Sequence, residues 1–302
     1  MAVRYAALSY GYGVAPECVS GTVVGVFPHA CVIALDGGGA ASLVRSDTGN
    51  LPGGIVLDAP AAFDFGATDP QGRVYVRGGI LRFRSAELSV DLRPARPWRS
   101  DLRTLDLDLR RRPSLRAVDA ATRILLSDGR AGPLVRAEGA RIVALMESVS
   151  RLDADAAGDA ASRLIGLGEG TTPAGDDFLV GFLGGLWAAA SNDTARAGFA
   201  SGLGHRVAAM KTRTSWLSGC YLAAAAVGEV SERLTALLSG LASGDGVEAV
   251  RAARAGIAVG HSSGACAVLG LLVGCGVWDV PRRGVDNFGI ATTPEPLPTV
   301  PA

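Results

Sequence analysis

The chain has 302 residues, with 29 basic side chains against 29 acidic ones and a pI near 6.8. That length buries a large core and suits two domains, and the balanced charge argues against a general nucleic-acid role. Five cysteines (Cys18, Cys31, Cys220, Cys266, Cys275) are widely spaced with no C-x-x-C pair, so neither a disulfide framework nor a zinc site is indicated.

The first hundred residues read as strands and turns. Residues 20–27, 30–35 and 41–44 are short and valine-rich, separated by Pro28-His29 and Asp36-Gly37-Gly38-Gly39. The glycine run lacks the lysine of a phosphate loop and reads as a turn. Residues 55–57 follow Pro52-Gly53-Gly54, residues 73–76 and 80–83 flank Gly78-Gly79 as a hairpin, and residues 87–92 alternate in the same manner. Strands at this spacing suggest a small barrel or a sandwich.

Beyond Pro113 the period becomes helical. Residues 114–126 and 140–152 carry apolar side chains at three- and four-residue intervals. Residues 160–167, 195–210, 215–227, 231–241, 247–258 and 263–275 continue as helices. The expected fold class is therefore α+β, a β-rich N-terminal barrel or sandwich followed by a mainly helical C-terminal domain. The expected domains are residues 1–112, residues 113–282 and a C-terminal tail at 283–302. Arg93, Arg96, Arg99, Arg103, Arg110, Arg111, Arg112 and Arg116 interleave with Asp101, Asp106 and Asp108, which favours a self-paired surface or a subunit contact. Residues 255–278 carry no formal charge, but Gly260-His261-Ser262-Ser263-Gly264 interrupts them, so buried helices are expected rather than a membrane span. No apolar leader is evident at the N-terminus, and the cytoplasm is the expected compartment.

The densest chemical signal is Gly166-Leu167-Gly168-Glu169-Gly170-Thr171-Thr172-Pro173-Ala174-Gly175-Asp176-Asp177-Phe178. Thr172 suits an N-cap, Pro173 the first helical position, and Asp176 and Asp177 the first turn of an apolar helix. Free backbone N–H groups, a positive dipole end and carboxylates then share one small volume, where a small anion or a divalent cation could bind. Adjacent carboxylates project about 100° apart on a helix, so both serve one ion only from a bent loop. Lys211-Thr212-Arg213-Thr214-Ser215, holding the chain's one lysine, and Gly260-His261-Ser262-Ser263-Gly264 also precede apolar helices. Converging, the three starts would make an anion pocket in which arginine grips a carboxylate and hydroxyls donate. Each start also has a plainer reading, as a cap or as a packed histidine.

At these residues the chain resembles the AllH-like subunit of oxamate carbamoyltransferase. Gly166 to Phe178 is similar to that family's G-x-G-x-G-L-T-P-S-G-D-D-F signature, with Thr171 in place of leucine and Ala174 in place of serine. The likeness is densest over residues 160–275. It implies transfer of a carbamoyl group between phosphate and oxamate in allantoin and purine nitrogen catabolism, with oxalurate and phosphate giving oxamate and carbamoyl phosphate. It also implies other carbamoyltransferase subunits as partners. Asp176, Asp177 and His261 are then the catalytic candidates. Gly168, Gly170, Thr171, Thr172, Gly175, Lys211, Arg213, Thr214, Ser215, Ser262 and Ser263 are the candidates for substrate binding. The reaction calls for no redox cofactor, and Mg2+ is the ion Asp176 and Asp177 would take if they hold one. The alternatives are a non-catalytic anion-binding assembly or regulatory subunit, and a metal-dependent hydrolase or lyase.

Overall fold

The computed structural model describes residues 3–84, 87–190 and 193–280, and the tail expected at 283–302 lies outside them. Short strands between glycine and proline turns make up the first part: β1 (Val3–Tyr10), β2 (Ser20–Phe27), β3 (Ala30–Leu35), β4 (Ala40–Arg45), β5 (Gly54–Leu57), β6 (Arg73–Arg77), β7 (Ile80–Phe83), β8 (Leu88–Asp91) and β9 (Arg96–Pro97). They pair in the order β5-β4-β3-β2-β6-β7-β8-β1, and β1 pairs again with β5, closing a barrel of eight strands. β9 adds in parallel to β1. Closure removes the exposed edges of a sandwich and lets one face of every strand fill the interior. Val23, Ile33, Leu43, Ile55, Val74 and Leu81 are completely buried there. Gly37-Gly38-Gly39 makes the turn between β3 and β4, with positive φ at Gly38 and Gly39.

The chain divides into one unit of Met1–Asp101 with Glu229–Thr235, and a second of Leu102–Gly228 with everything from Ala236 onward. Glu229 explains why a helical segment returns to the first unit. Its buried carboxylate accepts from Arg99 Nε at 2.5 Å and from the Ser100 backbone N–H at 3.2 Å. Three of the eight arginines in the arginine-rich stretch pair with nearby aspartates, as Arg93–Asp91, Arg110–Asp108 and Arg111–Asp106, and Arg99 pairs with Glu229.

Nine α-helices follow among the described residues: α1 (Arg112–Asp128), α2 (Gly132–Ser150), α3 (Ala154–Ser162), α4 (Ala174–Ala189), α5 (Thr194–Ala209), α6 (Trp216–Ala225), α7 (Glu232–Ser243), α8 (Gly246–Ile257) and α9 (Ser263–Gly276). α2 begins eight residues before the expected 140, with Pro133 in its first turn. α3 starts at Ala154, where Asp153 caps it by accepting from Ala156 N, and it ends at Ser162, inside the expected 160–167, ahead of Gly166 at φ 76°.

α4 and α9 are the central pair. A Cβ at Gly181 would lie 1.8 Å from the Ala267 carbonyl oxygen, and one at Gly270 1.9 Å from that of Phe178. Glycine lets these backbones meet directly, and Phe178, Phe182, Leu186, Leu269 and Leu272 fill the space on either side. This packing accounts for a helix with no polar face. No helix among the described residues is long and apolar enough to cross a membrane.

Candidate functional site

The loop leading into α4 is held by close backbone approach. Gly166, Gly168 and Gly170 have φ of 76°, 111° and 101°, a region that disfavours other residues. A Cβ at Gly166 would sit 2.8 Å from the Arg213 carbonyl oxygen, and one at Gly175 2.1 Å from that of Leu164. The loop thus lies against both the segment before α6 and the end of the chain leading out of α3. The N-cap of α4 is Pro173, not Thr172 as the sequence suggests. The Thr172 hydroxyl instead meets Ser263 Oγ, at the start of α9, at 2.9 Å. The helix retains Asp176 and Asp177 in its first turn.

Asp176 ties the starts of α4 and α6 together. It is completely buried and accepts from the Gly166 backbone N–H at 2.8 Å, from Ser218 Oγ at 2.8 Å, and from Thr214 Oγ1. Ser215 caps α6 by accepting from Ser218 N at 3.1 Å, and it donates to the Thr171 carbonyl at 2.5 Å. The loop before α4, the start of α6 and the start of α9 therefore meet through named hydrogen bonds.

Asp177 differs from its neighbour. Its Oδ2 is buried with no hydrogen-bond partner among the described residues. Burial pushes its carboxyl up to about 7, the Ser263 and Thr172 hydroxyls oppose that rise, and the Asp176 charge adds to it. The Cys266 thiol, also near Asp177, is pushed up to about 12 by burial first and by the Asp177 charge second.

Gly168, Gly170, Thr171, Lys211 and Arg213 are exposed. Neither Lys211 nor Arg213 forms an ion pair among the described residues, and Arg213 reaches only Met210 Sδ at 3.6 Å. The His261 side chain is exposed, and its carbonyl accepts from Arg130 Nη1 at 3.1 Å. Ser262 stands at the N-cap position of α9 without a side-chain capping bond. Two participants escape sequence reading. Ser218 carries a signal only in its spacing, three residues beyond the Ser215 cap. Arg130, paired with Asp128 at 2.8 Å, carries none. Both oxygens of Asp176 are occupied by protein donors, and no group of three or more His, Cys, Asp or Glu placed to hold a metal ion occurs among the described residues.

Residues 164–275 match the family model described as oxamate carbamoyltransferase subunit AllH. This stretch is AllH-like. No curated protein and no solved structure gave a match. The AllH-like stretch opens at Leu164, just before the glycine loop, and closes at Cys275 in α9. Every hydrogen bond that joins the three helix starts falls inside it. Chemically, the AllH-like region offers uncommitted cations and loop N–H groups beside one carboxyl that can gain or lose a proton near neutrality.

Proposed function

We propose that the chain is a subunit of an oxamate carbamoyltransferase-like enzyme, acting in the cytoplasm with other subunits in allantoin and purine nitrogen catabolism. The observation that carries this reading is the junction of the AllH-like helix starts, where Asp176 binds Gly166, Thr214 and Ser218 while Thr172 meets Ser263. In the degradative direction an oxygen of hydrogen phosphate attacks the carbamoyl carbon of oxalurate and gives up its proton as the C–O bond forms. The bond from that carbon to the oxamate nitrogen breaks, and the nitrogen takes a proton. A carboxyl with a pKa near 7 can deliver that proton and accept it again in reverse, which assigns the step to Asp177. Lys211 and Arg213 offset the charge of two anions brought together, and the N–H groups of Gly168 and Gly170 with the Thr171 hydroxyl bind their oxygens. Asp176, Thr214 and Ser215 hold the loop in place. His261 and Ser262 stand next to Ser263 at the start of α9.

The exposure of Lys211, Arg213 and Thr171 favours a site that another subunit covers. It also keeps open a second reading, in which the chain binds an anion without turning it over. Thermal unfolding of the purified chain with phosphate, carbamoyl phosphate, oxamate or oxalurate tests binding. A ligand at one hundred times its dissociation constant adds about 2.7 kcal/mol, a rise of roughly 5–10 °C for a unit of this size. That rise should vanish in Arg213→Ala and shrink in Lys211→Ala. An equal rise in both variants would place the anion elsewhere.

A further inference from the structure

The far end of α4 borders a cavity of about 250 Å³ lined by Arg103, Trp187, Ala190, Ala197 and Ser201. A helix rises 1.5 Å per residue, so the length of α4 places this cavity roughly 20 Å from the glycine loop. Its floor is apolar. Trp187 is only 3% exposed, and its Nε1–H is already spent on the Ala226 carbonyl at 3.3 Å, so the indole offers carbon surface and no further donor. Arg103 lies over that indole, its guanidinium carbon 4.5 Å from the ring centroid. A guanidinium stacked on a ring keeps its N–H donors in its own plane, clear of the ring face.

What sets Arg103 apart is its place over the Trp187 ring. Arg93, Arg99, Arg110, Arg111 and Arg130 each hold a carboxylate, whereas Arg103 makes no ion pair or side-chain hydrogen bond among the described residues. Across the cavity, the Ser201 hydroxyl is likewise without a partner among the described residues, although the Ser201 carbonyl accepts from His205 at 2.7 Å. Two uncommitted donors therefore face an apolar hollow.

We propose that this cavity is a second ligand site, for a small monocarboxylate with a flat apolar body. Its carboxylate meets the Arg103 fork and the Ser201 hydroxyl, and its body lies against Trp187, Ala190 and Ala197. At ~30 Å³ per non-hydrogen atom, the volume of a liquid water, the space holds about eight such atoms, close to the size of a benzoate whose carboxylate reaches out to Arg103. Phosphate and oxamate lack the apolar part. The inference stands apart from the carbamoyl-transfer reading.

Calorimetric titration of the full chain with benzoate, and with neutral benzamide as control, tests it. One benzoate should bind per chain, at least ten-fold more tightly than benzamide. Arg103→Gln, at an exposed position, and Ala197→Leu, which fills the hollow, should each weaken benzoate ten-fold or more while unfolding temperatures stay near that of the unaltered protein. No binding overturns the proposal. So does benzoate binding that neither variant alters, or benzamide binding as well as benzoate.

Discussion

Replacing Asp176 with alanine removes the acceptor that joins the glycine loop to α6. The carboxylate is 0% exposed and takes three donors, the Gly166 N–H, the Thr214 hydroxyl and the Ser218 hydroxyl. A hydrogen bond to a charged group contributes about 1.5–3 kcal/mol, so simple addition would exceed 4 kcal/mol. The two hydroxyls can turn toward other acceptors, but the Gly166 N–H is fixed by its backbone. Breaking a buried charged network by deleting one member costs about 3–5 kcal/mol, and that is the range expected here. At roughly 2–4 °C per kcal/mol for a unit of this size, the unfolding temperature should fall by about 6–20 °C. Asp176→Asn keeps one carbonyl acceptor and should lose about half as much. Thermal unfolding followed by far-UV circular dichroism, with Ser218→Ala and the double variant completing a cycle, measures both the loss and the coupling. A drop under 2 °C in Asp176→Ala, or strict additivity with Ser218→Ala, would refute Asp176 as the tie.

Gly270→Ala should destabilise the protein by about 1–3 kcal/mol, because its Cβ would lie 1.9 Å from the Phe178 carbonyl oxygen and force α4 and α9 apart. Urea unfolding reads this directly, and an unchanged midpoint would contradict the direct backbone contact. Asp177 predicts a pH effect. Its folded pKa is raised from 3.8 to about 7, so the folded state holds a proton that the unfolded chain has released. Its contribution to stability is therefore whole below about pH 4 and is lost as pH rises through 7, and Asp177→Asn should flatten that fall in a pH series of unfolding midpoints. A parallel pH series for the variant and the unaltered protein would count against a protonated buried carboxyl.

The strands flanked by glycine and proline were legible almost residue by residue: β3 and β7 fall at the expected 30–35 and 80–83. Their turns punctuate the chain, and alternation does the rest. β1 was not legible. It has no turn signal ahead of it, and its place is decided by parallel pairing with β8 and antiparallel pairing with β5, both distant in sequence. That same pairing settles barrel over sandwich. At the site, the glycine run and the two aspartates announced a helix start, but composition alone could not separate the places of the two aspartates. Asp176 is buried under three donors and Asp177 is left with an orphan oxygen, a difference made by Thr214, Ser218 and Ser263 from other helices. The displaced N-cap has the same origin: Thr172 is a good local cap, yet its hydroxyl is engaged by Ser263.

The most direct test is phosphorolysis of oxalurate by the chain isolated together with the subunits that co-purify with it, scoring carbamoyl phosphate and oxamate. We expect both products in equal amounts, lost in Asp177→Asn and strongly reduced in Arg213→Ala, with both variants still assembled and folded. No carbamoyl phosphate from the intact complex, or full activity in Asp177→Asn, would contradict the assignment of carbamoyl transfer to this junction of helix starts.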